Sequence, residues 1–213
     1  MQVRLATPVT SEDYITGKLW SKATIVGCPW HPEGGCGFAR HGTYRRVKPA
    51  DTHIARWYCR RARRTVSALP DCLSSHRSGT LDECEAFVRA TQNASSIEAA
   101  CRDCRTDIEL PGAMRYLVRL RLDITQALQA IKGLFPLRFH GQPTLSDFTA
   151  QLTPLDGLPG VLMQLREIAS SYLPQLPTPL GFNSRSISDV NPPSSLQQRM
   201  GHDPPNAFID PCV

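Results

Sequence analysis

"HIARWYCRRARRTVSAL", residues 53–69, decides how this chain is read. Its first seven residues alternate in polarity and carry β-branched and aromatic side chains, the pattern of a half-buried strand. Upstream, "GTYRRV" (42–47) has the same character, so the two read as a β-hairpin, and "RTVSAL" (64–69) offers a third strand. "ATIVGC" (Ala23–Cys28) reads as a further short strand leading into a turn-rich stretch, whereas residues 1–23 show no clear period. A strand-rich unit over 24–72 has too thin a core to stand on burial alone, and units of that size usually need a metal.

The candidate metal site lies in "CPWHPEGGCGF", residues 28–38. Zinc takes four ligands in a tetrahedron, and two ligands separated by two residues fit one tight turn. Cys28-Pro29-Trp30-His31 has that spacing. Cys36-Gly37 resembles a knuckle, because glycine after the cysteine lets backbone amides approach the sulfur. Cys59, at the end of the strand-like run, completes a set of Cys28, His31, Cys36 and Cys59. The second half is the weak point: Arg60, Arg61, Ala62, Arg63 and Arg64 follow Cys59, and none of them is a ligand. Three outcomes therefore stand open. His31 is the fourth ligand; or Cys72, His41, His53 or water completes the site; or the ribbon holds no metal. Cys101-Arg102-Asp103-Cys104 falls inside a predicted helix, where core packing explains it better than redox chemistry. Cys84 sits on an apolar helical face and also reads as core.

From Thr80 the period changes to that of helices. Thr80-x-x-Glu83 and Ser95-x-x-Glu98 are capping-box patterns, each ahead of a helix. Pro111 stands at a third start, and Ala113, Leu117, Leu120, Ile124, Leu128 and Ile131 repeat at spacings of three and four until Gly133 closes the helix. Arg115, Arg119 and Arg121 lie on its outer side. Two short helices, a turn and a longer basic helix over 80–133 follow the order of a helix-turn-helix unit, and a plain three-helix bundle would show the same periods. Within 134–173 two short helices are expected, over Thr144–Leu152 and within 158–173. Residues 174–213 have no period and read as a disordered proline-rich tail, since 12 of the chain's 18 prolines follow Leu134. The fold class is α+β.

The net charge of +5 understates a local concentration: nine Lys/Arg and one acid, Asp51, lie between Arg40 and Arg64. So basic a block attracts polyanions, and its position inside a candidate zinc module favours nucleic acid over a merely solvated face. The residues expected to contact it are Arg40, Arg45, Arg46, Arg56, Arg60, Arg61, Arg63 and Arg64, together with Arg115, Arg119 and Arg121. Trp57 and Tyr44 either fill the ribbon core or stack on unpaired bases. No apolar run of signal or membrane-span length is present, so the expectation is a cytoplasmic, bacterial protein with reduced thiols.

In order along the chain, "C-P-x-H-P…G-C-G-F-x-R-H-G-T-Y-x-R", "I-A-R-W-Y-C" and "T-V-S-A-L-P-D" resemble the zinc-ribbon segment at the front of bacterial transposase-like and transposon-associated proteins. The resemblance covers about residues 24–132. It implies DNA binding, with zinc at Cys28, Cys36 and Cys59 and with His31 beside them, and a helix-turn-helix-like segment to follow. The chain departs from that pattern where the last ligand belongs, at Ala62-Arg63. No phosphate loop, G-x-S-x-G or H-E-x-x-H motif is present. Asp147, Asp156 and Glu167 are scattered acids outside any nuclease-like sheet. The expected function is therefore non-enzymatic DNA binding. A protein-interaction adaptor built on a degenerate ribbon and a single-stranded DNA or RNA binder are the alternatives.

Overall fold

A computed structural model describes residues 1–152 and 160–183. The fold is α+β. A four-stranded sheet has the order β1-β4-β3-β2, with β1 Gln2–Leu5, β2 Ala39–Arg45, β3 His53–Cys59 and β4 Arg64–Pro70. β2, β3 and β4 pair antiparallel as successive hairpins. β1, which the sequence does not announce, pairs parallel with β4. It is held by Arg4, whose Nε and Nη2 donate to the buried Asp71 carboxylate at 2.7 and 2.9 Å. Against expectation, Ala23–Cys28 forms no strand: Cys28 makes only an isolated bridge with His31. Nearby carbonyls are taken by a side chain instead. Arg40 Nη1 donates to Ser21 O at 2.9 Å and to Ala23 O at 3.1 Å, so the Ala23 carbonyl is already taken.

Six helices follow or flank the sheet: α1 Ser11–Thr16, α2 Leu81–Asn93, α3 Ile97–Cys104, α4 Leu110–Leu134, α5 Leu145–Gln151 and α6 Val161–Ile168. The first capping box is complete. Thr80 Oγ1 accepts from the Glu83 amide at 3.0 Å, and the Glu83 carboxylate accepts from the Thr80 amide at 2.8 Å. Thr80→Ala is expected to cost about 1–2 kcal/mol in chemical denaturation, with an unchanged m-value. At the second site the cap is Ser96 rather than Ser95, since Ser96 Oγ accepts from the Ala99 amide. Gly133 does not terminate α4. The helix runs on to Leu134, and the Phe135 amide still reaches Ile131 O. All six apolar positions expected on the inner face of α4 are buried.

One buried cluster joins the parts of the chain. Ile54 and Leu69 from the sheet, Leu81 and Val88 from α2, and Leu120 to Ile131 from α4 pack together. Phe139, Phe148, Leu162, Leu165, Leu173, Leu176 and Leu180 complete it. Chain order thus persists well beyond Leu134, and residues 174–183, expected in the proline-rich tail, are part of the packed fold. Leu176 and Leu180 are core residues, because each proline-bounded turn there drops one leucine inward. Residues 184–213, the remainder of that expected tail, and Asp156 lie outside the described residues. Two smaller clusters fill the opposite face and the end of the sheet. One is Ala23, Ala55, Trp57 and Ala68; the other is Cys28, Cys36 and Cys59. Among the described residues, no helix is long and apolar enough to cross a membrane.

Candidate metal centre and its arginine turn

Backbone geometry brings the four predicted ligands together. The Cys28–His31 turn closes with the His31 amide on Cys28 O at 3.2 Å. The chain then reverses through Gly34 and Gly35, whose φ angles of 82° and 68° suit glycine alone among common residues. This returns Cys36 to the turn. Cys59 arrives as the last residue of β3. The Sγ atoms of Cys28, Cys36 and Cys59 and a ring nitrogen of His31 all lie within 4.8 Å of one another. His31 Nδ1 is 3.6 Å from Cys28 Sγ and 3.4 Å from Cys59 Sγ. Tetrahedral zinc with bonds of about 2.3 Å to sulfur and about 2.0–2.1 Å to nitrogen would place sulfur and nitrogen roughly 3.6 Å apart. The cluster could therefore hold a metal ion, and His31 stands where the missing ligand of the second turn would otherwise be needed. Neither His41, His53 nor Cys72 joins the group.

The electrostatics suit ligation. Burial pushes the Cys28 thiol up, but His31, the Trp30 amide and the other two thiols outweigh it and hold Cys28 down at about 6. The lowered Cys28 pKa favours the thiolate that a metal needs. Cys36 is pushed up, by burial first and then by its hydrogen bonds with Cys28 and Cys59, so its proton is one that a metal would have to displace.

The turn after Cys59 is not a second ligand pair, yet it keeps the shape of a knuckle. The Ala62 amide donates to Cys59 Sγ at 3.3 Å, and the Arg61 amide donates to Cys36 O at 3.3 Å. The Arg60 stem lies over Gly37, where an added Cβ would meet Arg60 Cδ at 3.2 Å. Four arginines are thereby displayed on a turn folded around the cluster. Arg60, Arg61, Arg63 and Arg64 are exposed, and among the described residues none has a carboxylate within ion-pair distance.

The other basic residues divide by what they touch. Arg40 is spent on the carbonyls of Trp20, Ser21 and Ala23 and lies 5.5 Å from the Trp57 ring centroid. Arg46 donates to Ser74 O and Arg77 O, and burial lowers its pKa. Both of these arginines hold loops in place. Arg45 pairs with Asp51 at 3.0 Å in full solvent, a contact of little energetic weight. Arg56 lies over the Tyr44 ring at 5.8 Å. Arg115, Arg119 and Arg121 are exposed on the outer side of α4. Trp57 is 7% exposed and packs with Ala55 and Ala68, so it is a core residue and not a free stacking surface. Cys84 and Cys101 are buried, in line with their reading as core.

The turn between α3 and α4 is braced. Arg105 donates to Asp107 at 2.7 Å and lies 4.2 Å from the Tyr116 ring centroid, and Lys48 of the β2–β3 loop also pairs with Asp107. Hydrogen bonds from Arg105, then Lys48, hold the Asp107 carboxyl far below the usual carboxylate range. The sequence gives no role to Arg105 or to Arg166: the first joins its neighbour Asp107 to the Tyr116 ring, and the second takes carbonyls from segments distant in the chain. No family model, curated protein or solved structure matches the chain.

Proposed function

We propose that this chain is a zinc-holding, non-enzymatic DNA-binding protein related to mobile-element proteins. The arginine turn carries the reading: four exposed arginines without a carboxylate partner among the described residues flank a turn whose Arg61 and Ala62 amides are bonded to the Cys36 carbonyl and the Cys59 sulfur. An arginine fork suits phosphate oxygens, and a turn held at two amides fixes the backbone from which such forks project. Three sulfurs and one imidazole are a ligand set that favours zinc. Arg115, Arg119 and Arg121 on α4 would add further contacts to phosphates of the same nucleic acid.

Binding of this kind weakens steeply with salt, because each neutralised phosphate releases counterions. Fluorescence anisotropy on duplex DNA across a salt series tests it. Reversing Arg60, Arg61, Arg63 and Arg64 to glutamate should reduce the slope of log K against log salt by roughly 3–4. Wild-type protein that binds no DNA at low salt would sink the reading. A protein partner is the second reading, favoured by Val118 and Leu122, which are 45% and 53% exposed among the arginines of α4. A protein-binding α4 would tolerate the four reversals.

A further inference from the structure

We infer that the open half of the sheet's outer face, carrying His41, Tyr44, Arg56 and Tyr58, is a stacking surface for unpaired nucleic-acid bases. This rests on the nucleic-acid reading above and specifies the form of its ligand.

The pleat divides the sheet cleanly. Ala55 and Trp57 of β3 and Val66 and Ala68 of β4 point to one face and are buried. Ile54, Arg56 and Tyr58 point to the other, beside Leu69, Ser67 and Thr65 of β4. That outer face changes character along its length. Ile54 and Leu69 lie in the main core, whereas Arg56, Tyr58, Ser67 and Thr65 are only half-buried. Helices therefore cover one end and leave the metal-proximal end open.

Two ring contacts lie on this face, one at its border with the core, where Tyr44 pairs with Ile54, and one at the open end. Arg56 lies over Tyr44, and the exposed His41 ring is 5.6 Å from that of Tyr58, tilted by 40°. His41 reaches this position through a register shift in β2 between Arg40 and Thr43, at Gly42, whose φ is 78°. One residue beyond Tyr58 is Cys59, and the arginine turn begins there. The surface thus runs from flat rings to unpaired guanidinium groups. The four strands together carry five arginines and no Asp or Glu, so nothing on the sheet repels a polyanion.

Bases inside a duplex are already stacked on one another. Only unpaired bases can offer a ring face to Tyr58 or His41, while either form satisfies the arginines. A single strand would lay its bases on the rings and its phosphates along the turn.

The test compares Tyr58→Ala and Tyr58→Phe with wild type, each checked for metal content and circular dichroism. Anisotropy is read on oligo-thymidylate, on oligo-uridylate and on a mixed-sequence duplex at one salt concentration. Wild type is expected to prefer single strands. Tyr58→Ala should lose on the order of tenfold on single strands and little on duplex, and Tyr58→Phe should retain wild-type affinity. The ratio between the DNA and RNA oligomers identifies the sugar. Unchanged single-strand affinity in Tyr58→Ala, or an equal loss on duplex and single strand, overturns the inference and leaves the arginine turn untouched. Loss in the Arg60, Arg61, Arg63 and Arg64 reversals, beside no loss in Tyr58→Ala, has the same meaning. Wild type that binds none of the three overturns both readings.

Discussion

Cys59→Ser is expected to take bound zinc from about one equivalent to near zero, and to remove most of the DNA affinity with it. Cys59 is fully buried and touches every part of the arrangement: His31 Nδ1 at 3.4 Å, the Cys36 carbonyl and the Ala62 amide. A hydroxyl in its place is a hard, neutral donor that zinc does not retain in a sulfur-rich site. The main core contains none of the four ligands, so the body of the fold should survive. The loss should be local, read as faster hydrogen exchange at the Arg61 and Ala62 amides with the α4 amides unchanged. A chelator acting on wild type should reproduce both effects. His31→Ala offers the contrast: three thiolates remain, and water can take the fourth position, so binding should weaken without vanishing. Affinity should also fall as pH falls, because protons compete for the thiolates. Elemental analysis of purified protein checks the stoichiometry. Wild type without metal, or a Cys59→Ser variant that keeps it, would return the cluster to mere packing.

What the sequence disclosed, and what it concealed, follows from the range of the interactions. β2, β3 and β4 were legible because alternation is a local signal, and α4 because its apolar spacing is sustained over many turns. Thr80 and Glu83 were legible as a pair for the same reason, since both halves of the box lie within four residues. β1 was not, because four residues carry almost no period. Its place depends on Arg4 reaching Asp71, 67 positions away. The metal ligands were legible as residue types at suggestive spacings. Their convergence was not, because it depends on two glycines reversing the chain and on β3 delivering Cys59. The arginines were the least legible. Eleven looked alike in sequence, but Arg40 and Arg46 are held on carbonyls while Arg60 and Arg61 face solvent. Charge alone does not separate a loop clamp from a phosphate contact. Residues 174–183 were concealed by composition, since prolines that suggest disorder here punctuate buried turns.

Arg166→Met is expected to destabilise the folded chain by about 3–5 kcal/mol, the sum over several buried carbonyls that lose a charged donor. Arg166 is 1% exposed, the largest of the fully buried side chains, yet it stands in a helix whose neighbours are Leu165 and Ile168. Its guanidinium ties together two segments distant in sequence. Nη1 donates to Asp71 O at 2.9 Å and Leu73 O at 2.6 Å, and Nε and Nη2 donate to Leu180 O and Pro179 O at 2.9 and 2.7 Å. Methionine has similar bulk but takes the donor from Asp71 O, Leu73 O and Leu180 O in a dry interior, while Pro179 O keeps the Ser75 amide, and each orphan costs about 1–3 kcal/mol before relaxation. Burial lowers the Arg166 pKa to about 10, with Asp71 working against it, so the group remains charged at neutral pH. Arg166→Lys keeps the charge but not the planar fork, and it should recover only part of the loss. Urea unfolding midpoints at constant m-value measure both variants. A cost below about 1 kcal/mol for Arg166→Met would mean that the carbonyls find water, and that the loop at 177–183 is not held to the sheet through this residue. A full cost would explain how a proline-rich segment stays packed. Ser75 also ties Pro179 O and Gly181 O to the loop after β4, but Arg166 joins that segment to the Pro70–Leu73 turn from which β4 passes to the helices.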